Sequence, residues 1–338
     1  MAMTIGNIST WAIPKLKLKF TSIPTANAIV FSSTRRVSSV NATNSNVLLF
    51  SSQPHRQTNT NERTLSFTDS ETFQETKKPK YWKPMCLYYT QNKCTKMDDP
   101  EHLEKFSHHY SSRLQVGSDD LKNLQPQQVD YFLVLDLEGK VEILEFPVVM
   151  IDAHSLEFVD AFHRFVRPIK MSEKRVEEYI DGKYGKLRLD RVWHDTSIPF
   201  AEMLQQFENW LRHHQLWEKG ALTLHRAAFV TCGNWDVKTK IPEQCQVSGI
   251  KLPPYFMEWI NLKDVYLNFY NHRAAGMMAM LKGLSMPIIG SHHVGIDDAQ
   301  NITRILQRML VDGALMQITA KRTGMGSSGV KFMFKNRI

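Results

Sequence analysis

The run Tyr131-Phe-Leu-Val-Leu-Asp-Leu-Glu138 is apolar until it ends in two carboxylates one residue apart. Side chains two apart on a strand share a face. Asp136 and Glu138 would therefore point into one space while Leu137 stays with the apolar layer. Open α/β sheets hold their ligands at the carboxyl ends of strands, and two acids facing one space there suit a cation. Two other segments carry matching chemistry. Phe229-Val-Thr-Cys-Gly-Asn-Trp-Asp236 is a second apolar run ending in an acid, and Gly290-Ser-His-His-Val-Gly-Ile-Asp-Asp298 places two histidines and two acids at the start of a helical pattern. Bringing such acids together unaided is costly, since two like charges about 4 Å apart repel by about 4 kcal/mol at an effective dielectric near 20. Divalent cations turn that cost into a binding site, and ligation by oxygen alone favours Mg²⁺ or Mn²⁺ over zinc. Two such ions can activate a water and stabilise the leaving oxygen in phosphodiester cleavage, with a histidine taking the proton.

A second constellation, Cys86-x7-Cys94-x7-His102-x5-His108, offers two thiolates and two imidazoles in a segment too short to bury a core. Zinc could supply its folding energy, and His109 is an alternative fourth ligand to His108. The segment resembles small nucleic-acid- or poly(ADP-ribose)-binding fingers of the Cys-Cys-His-His kind. Tyr88, Tyr89 and Phe106 beside Lys83, Lys93 and Lys96 would give it stacking surfaces and phosphate contacts. Trp235 next to Asp236 is read either as core packing or as a base-stacking platform, and Cys232 and Cys245 as packing thiols.

The pattern around these residues predicts strands at 131–137, 142–151, 158–166 and 226–232. It also predicts a helix at 200–211, with Phe200, Met203, Leu204, Phe207, Trp210 and Leu211 at helical spacing, helices around 258–270 and 275–284, and a last helix from Asp297 to Asp312 stopped by Gly313. Such an order makes a mixed-sheet α/β domain of ordinary single-core size. Ahead of it, residues 1–61 contain no Asp or Glu but carry Lys15, Lys17, Lys19, Arg35, Arg36 and Arg56 among many Ser and Thr residues. That is the composition of a disordered organelle transit peptide, and its Ser/Thr richness and modest number of arginines favour a chloroplast over a mitochondrion. Removing those six cations from the formal +8 leaves 8 − 6 = +2, so a basic pI alone does not argue for nucleic acid and any basic surface must be local. Residues 62–80 read as a linker, 81–112 as the Cys/His module, 129–320 as the main domain and 321–338 as a basic tail. The clusters at Lys77-Lys-Pro-Lys80 with Lys83, and at Lys321, Arg322, Lys331, Lys335 and Arg337, read either as solvated segments or as phosphate contacts. No apolar run reaches the ~18 residues of a membrane span, so a soluble protein with no membrane partner is expected. Four dispersed cysteines do not make a disulfide framework.

Asp-x-Glu, a later Asp and His-x4-Asp, in that order, resemble the DEDDh class of 3′-to-5′ exonucleases. Glu145-Phe-Pro-Val-Val, Phe165-Val-Arg-Pro168, Gly233-Asn-Trp-Asp236, Trp259-Ile-Asn-Leu-Lys and Gly295-Ile-Asp-Asp-Ala-Gln-Asn-Ile-Thr-Arg304 narrow the resemblance to the histone-mRNA exonuclease subfamily, also called enhanced-RNA-interference exoribonucleases, over residues 129–320. The resemblance implies a ribonuclease H-like mixed five-stranded sheet flanked by helices. It implies two Mg²⁺ or Mn²⁺ ions held by Asp136, Glu138 and Asp298 with Asp236 in support, and His293 as base. Spacing alone does not separate His292-x4-Asp297 from His293-x4-Asp298; the family's His-x-Gly-Ile/Leu-Asp-Asp pattern selects the latter. The implied activity is trimming of RNA 3′ ends to release 5′-nucleotides, with organellar ribosomal or other structured RNA as substrate. A DNA substrate, or a non-catalytic RNA-binding adaptor built on the finger, remain open. Just after Glu138, Gly139-Lys140 replaces the subfamily's usual Ala-Thr, and the following loop is shorter.

Overall fold

The computed structural model describes residues 83–187, 189–324 and 329–338. The expected transit peptide and linker, with the Lys77–Lys80 cluster, lie outside these residues. The chain opens with two short helices, α1 (Leu87–Thr90) and α2 (Pro100–Lys105), in the Cys/His segment. Asp99 caps α2 by accepting bonds from the Glu101 and His102 amides. The antiparallel strands β1 (Tyr131–Leu135), β2 (Glu145–Asp152) and β3 (Phe158–Arg167) follow, then α3 (Glu173–Tyr184), α4 (Asp190–Thr196), β4 (Ile198–Pro199) and α5 (Phe200–His213). The second half runs β5 (Ala227–Thr231), a wide helical turn (Asp236–Lys240), α6 (Ile241–Val247), β6 (Glu258–Asn261), α7 (Leu262–Tyr270), α8 (Met277–Gly283), α9 (Gly295–Val311), β7 (Ala320–Arg322) and β8 (Val330–Phe332).

The sheet order is β4-β3-β2-β1-β5-β6-β7-β8. β1 is central, antiparallel to β2 and parallel to β5. The five strands β3-β2-β1-β5-β6 match the expected count, but the sheet has eight strands rather than five. The additions are short pieces at the edges: β4 pairs with β3 through two residue pairs, and β7 and β8 continue from β6. Their brevity leaves too little alternation for a sequence pattern to register. The segment 321–338 is accordingly not a free basic tail. Lys321 pairs with Glu258 at 2.7 Å, Arg322 donates to the Val237 and Lys238 carbonyls, and the Ile338 amide donates to Asp264.

Two apolar layers sandwich the sheet, and β1 supplies both by strict alternation. Phe132 and Val134 face the layer of α7, α8 and α9, while Leu133 and Leu135 face that of α5. Burial of such side chains contributes about 1.5–3 kcal/mol each. All five of the buried α5 residues, Phe200, Met203, Leu204, Phe207 and Leu211, were legible from helical spacing. A further segment departs from expectation. Glu258–Asn261 is a strand, not the start of a helix, because Val230 and Thr231 of β5 take Ile260 and Asn261 as parallel partners. The helix begins only at Leu262, where the Asn261 side chain accepts the Lys263 amide. Helices α3 and α4 form in a charged stretch the pattern leaves unassigned, and their Ile180, Tyr184, Val192 and Trp193 join the same apolar layer as α9.

Candidate active site

The alternation that builds the core also aims the acids. Leu137 continues the α5 layer, so Asp136 and Glu138, just past the end of β1, turn to the face where α9 begins. Glu138 is anchored there by exchange with β2: its amide donates to the Glu145 carbonyl at 3.2 Å, and its own carbonyl accepts the Leu144 amide at 2.7 Å. Between these bonds the chain reverses at Gly139, whose φ is +119° and where a Cβ would collide with the Glu142 carbonyl oxygen. Only glycine fits a loop this short, which accounts for Gly139 where the subfamily carries alanine. Gly295 does the corresponding work on α9, since a Cβ there would lie 3.0 Å from the Glu145 carboxyl carbon and 3.1 Å from Glu138 Cγ. The first turn of α9 thereby seats against both strands.

Asp298, in that first turn, is 2% exposed. Asp136, Glu138 and Asp298 each offer a carboxylate oxygen within 4.8 Å of the others. Asp236 stands behind them: its Oδ1 accepts the Leu137 amide at 3.0 Å, tying the β5 exit to the β1 exit. His292 and His293 close the ring of groups. The His293 amide donates to Asp298 Oδ2 at 2.7 Å, His292 Nδ1 lies 3.1 Å from the same oxygen, and the two imidazoles stack at 3.9 Å. His293 has φ +71°, a left-handed conformation unusual for a non-glycine residue. Its ring is 71% exposed, with Nδ1 4.0 Å from Glu138 Oε1. The bond to Asp298 holds His292 above the usual imidazole range, whereas partial burial and then the His292 charge hold His293 below it.

The carboxylates show the cost of their proximity. Burial, then Asp236, Asp298 and Glu138, push Asp136 well above the ordinary carboxyl range. Burial raises Glu138 to about 7 although Lys183 opposes it, and burial raises Asp236 to about 6. Carboxylate oxygens face one another here with the His292 and His293 imidazoles at their rim, and the acids carry more negative charge than nearby cations balance. That donor set fits hard divalent cations of the Mg²⁺ or Mn²⁺ type. Three residues around the site escaped the sequence reading. Lys183 of α3 reaches Glu138 Oε2 at 2.5 Å. Glu145, fully buried, accepts the Tyr184 hydroxyl and the Ile296 amide, both at 2.9 Å, and lies 3.0 Å from His163 Nε2. Burial alone would raise Glu145, but His163 and then the Lys183 charge and a backbone N–H at the start of α9 bring it below its usual range. The available signals were Val176, Ile180 and Tyr184 at four-residue spacing, and a Glu at the head of the apolar run 146–151; His163 sits in a strand with other polar residues and gave none.

Residues 132–306 match the exonuclease family model RNase_T. The chain belongs to the exonuclease family. Within it, the order and convergence of the acids and histidines are those of DEDDh 3′-5′ exonucleases. An exonuclease domain-containing protein of Arabidopsis thaliana is 60% identical over 265 residues, 78% of this chain and 79% of that protein. The rat 3′-5′ exoribonuclease 1 is 34% identical over 58% of this chain and 57% of its own length, so the chain spans little more than half of that relative. Among solved structures, a 3′-exonuclease described as recognising the 3′ end of the histone mRNA stem-loop superposes with TM-score 0.52 at 28% identity, covering 62% of this chain and 93% of that one. The exonuclease is thus a hydrolase whose family works with divalent metal ions.

The Cys/His residues also converge. Cys86, Cys94, His102 and His108 each place a ligand atom within 4.8 Å of the others. Cys94 Sγ lies 3.5 Å from His102 Nε2 and 3.7 Å from His108 Nε2, and the two Nε2 atoms are 3.1 Å apart. Zn–S bonds of about 2.3 Å and Zn–N bonds of about 2.0–2.1 Å in a tetrahedron would separate S from N by about 3.5 Å, so the set fits zinc. Of the two candidate fourth ligands, His108 belongs to the cluster. Two of the three aromatic residues around it are otherwise engaged, while Phe106 stays exposed. Tyr88 donates its hydroxyl to Asp195 at 2.5 Å and packs on the main core, and Tyr89 stacks on His108 at 4.5 Å. Tyr88 is therefore a packing residue rather than a free stacking surface; Lys93 remains exposed. Trp235 is 44% exposed with Lys240 Nζ 5.4 Å from its ring centroid, not in the core, whereas Cys245 is buried as expected.

Proposed function

We propose that this exonuclease trims RNA 3′ ends and releases 5′-nucleotides. The observation that carries the reading is the meeting of Asp136, Glu138 and Asp298 at the end of β1 with His293 beside them. Asp136, Glu138 and Asp298, supported by Asp236, would hold two Mg²⁺ or Mn²⁺ ions, which when bound supply an activated water and neutralise charge on the leaving oxygen. His293, which burial and then the His292 charge hold below the usual imidazole range, accepts the proton of the attacking water. Trp235, exposed beside Asp236, offers a ring on which a base can stack at about 1–3 kcal/mol. Cys86, Cys94, His102 and His108 hold a structural zinc ion. Support for RNA over DNA comes from relatives named as exoribonucleases, such as that of rat. Paired 3′-labelled oligonucleotides of one sequence, one ribose and one deoxyribose, test this with Mg²⁺ present. The ribose strand should disappear at least about tenfold faster, as a site that binds the 2′-hydroxyl requires, and equal rates would refute the preference.

Structured RNA of an organelle, ribosomal RNA included, is the proposed substrate, and a chloroplast the proposed compartment. The acid-free, Ser/Thr-rich composition of residues 1–61 supports this. Residues 1–61 fused ahead of a fluorescent protein should carry it into chloroplasts; a cytosolic signal would remove the proposal.

A further inference from the structure

The Cys/His module is not a finger hung from the enzyme. Its residues Thr90 and Gln91 are 4% and 3% exposed because they enter the nuclease body and grip a histidine that is fully buried. Thr90 Oγ1 lies 2.7 Å and Gln91 Nε2 3.0 Å from His163 Nδ1. Gln91 Oε1 also accepts the Phe165 amide of β3 at 2.9 Å, completing a strand edge with a side chain. On its far side His163 Nε2 lies 3.0 Å from Glu145 Oε1. That same oxygen accepts the Ile296 amide in the first turn of α9, two residues before Asp298. The Glu145 backbone carbonyl accepts the Glu138 amide. A path of polar contacts therefore runs from the module to two of the acids of the active site, its middle link being His163 Nε2 at 3.0 Å from Glu145 Oε1, close enough for a charge contact but outside hydrogen-bond geometry. Buried networks of this kind hold one geometry when complete and are costly when broken.

At the other end of the path, the Thr90 amide donates to the Cys86 carbonyl at 3.1 Å and the Cys86 amide to the Ser107 carbonyl at 3.0 Å. Helix α1, which carries Thr90, has four residues and cannot hold its own shape. Its geometry depends on the packing of Leu87 and Tyr88 against the main core at one side and, at the other, on what closes Cys86 against Cys94, His102 and His108. A second strut leaves the module nearby, where Arg113 Nη1 donates to Asp297 Oδ1 at 2.8 Å and Nη2 to the Lys83 carbonyl at 2.9 Å.

We infer that the zinc centre is a positioning device for the nuclease site: by fixing α1 it holds Thr90 and Gln91 on His163, and through Glu145 it sets Glu138 and the first turn of α9 for cation binding and hydrolysis. The inference rests on the zinc and exonuclease readings above. It differs from an RNA-binding finger in a measurable way, since a module that grips substrate acts on KM, and one that positions acids acts on kcat and on the cation requirement.

The test uses the full chain, purified without chelator, with zinc measured by elemental analysis and kcat, KM and the Mn²⁺ concentration for half-maximal rate measured on a 3′-labelled oligoribonucleotide. Thr90→Val, which keeps the shape but removes the hydroxyl, should retain one zinc per chain, lower kcat by about tenfold or more and raise the Mn²⁺ requirement, with KM within about twofold; outer contacts of this kind typically weigh 10–100-fold. Thr90→Ser, which restores the hydroxyl, should recover most of the loss. Cys94→Ser should lose the zinc and show the same kinetic signature. Wild-type kcat and Mn²⁺ requirement in Thr90→Val, or a change confined to KM in Cys94→Ser, overturns the inference. Wild-type protein without zinc overturns it at its first link, while wild-type protein with zinc but no hydrolysis refutes the exonuclease reading instead. If Cys94→Ser does not fold, the Thr90 pair decides.

Discussion

Asp136→Asn should lose at least about a thousandfold in kcat/KM, roughly 4 kcal/mol of transition-state stabilisation, while its metal-free form becomes more thermostable. Both effects have one cause. Asp136 lies among Asp236, Asp298 and Glu138, and burial together with those charges pushes its carboxyl far upward. The amide keeps the shape and removes one of the repelling charges, which stabilises the metal-free fold. It also removes one of the carboxylates proposed above to hold the cations. The pH dependence follows in sign. Glu138, raised from 4.5 to about 7, binds a proton more tightly folded than unfolded. Its contribution is present in full below about 4.5 and is lost as pH rises through 7. Metal-free wild type should therefore lose stability between pH 5 and 8, Asp136→Asn should lose less, and Mg²⁺ should restore the wild type but hardly the variant. Thermal melts in magnesium-free, chelator-free buffer read this directly, and a variant that is both inactive and less stable at every pH would contradict it.

His293→Ala should reduce kcat by about a hundredfold or more, the usual weight of a general base, whereas His292→Ala should retain activity within about tenfold. The exposed ring of His293 stands beside Glu138, while His292 is bound to Asp298 and held above the imidazole range by that bond. Part of the downward shift of His293 comes from the charge on His292. Removing His292 should consequently move the acid limb of the rate profile to higher pH, because His293 then gives up its proton less readily. Rate profiles from pH 5 to 9 measure the limb. A larger loss in His292→Ala, or a limb that moves down, would reassign the base.

The histidine choice also marks how far linear order reaches. Spacing left His292 and His293 equivalent because adjacent residues share the same distance to a pair of adjacent acids. Their roles separate only when the left-handed turn at His293 leaves one ring bonded to Asp298 and the other exposed beside Glu138. Lys183 was missed for a related reason. Its helix presents a narrow apolar stripe among charges, so nothing local indicates that it crosses to Glu138, forty-five positions away. The same holds for Glu258–Asn261, a strand only because β5 lies alongside it.

What the sequence by itself determined was the chemistry: Asp136, Glu138, Asp236, Asp298 and a histidine, with two Cys and two His apart from them. Alternation on one strand and spacing on one helix are local properties, so the shared face of the two acids, the separate seat of Leu137 and the buried stripe of α5 could be read directly. The tertiary structure alone decided what those groups meet. Edge strands, the Lys183 contact, the engagement of Tyr88 with Asp195 and the path through His163 and Glu145 all join residues distant in the chain. Burial and hydrogen-bond pairing act across space, where residue order carries no signal.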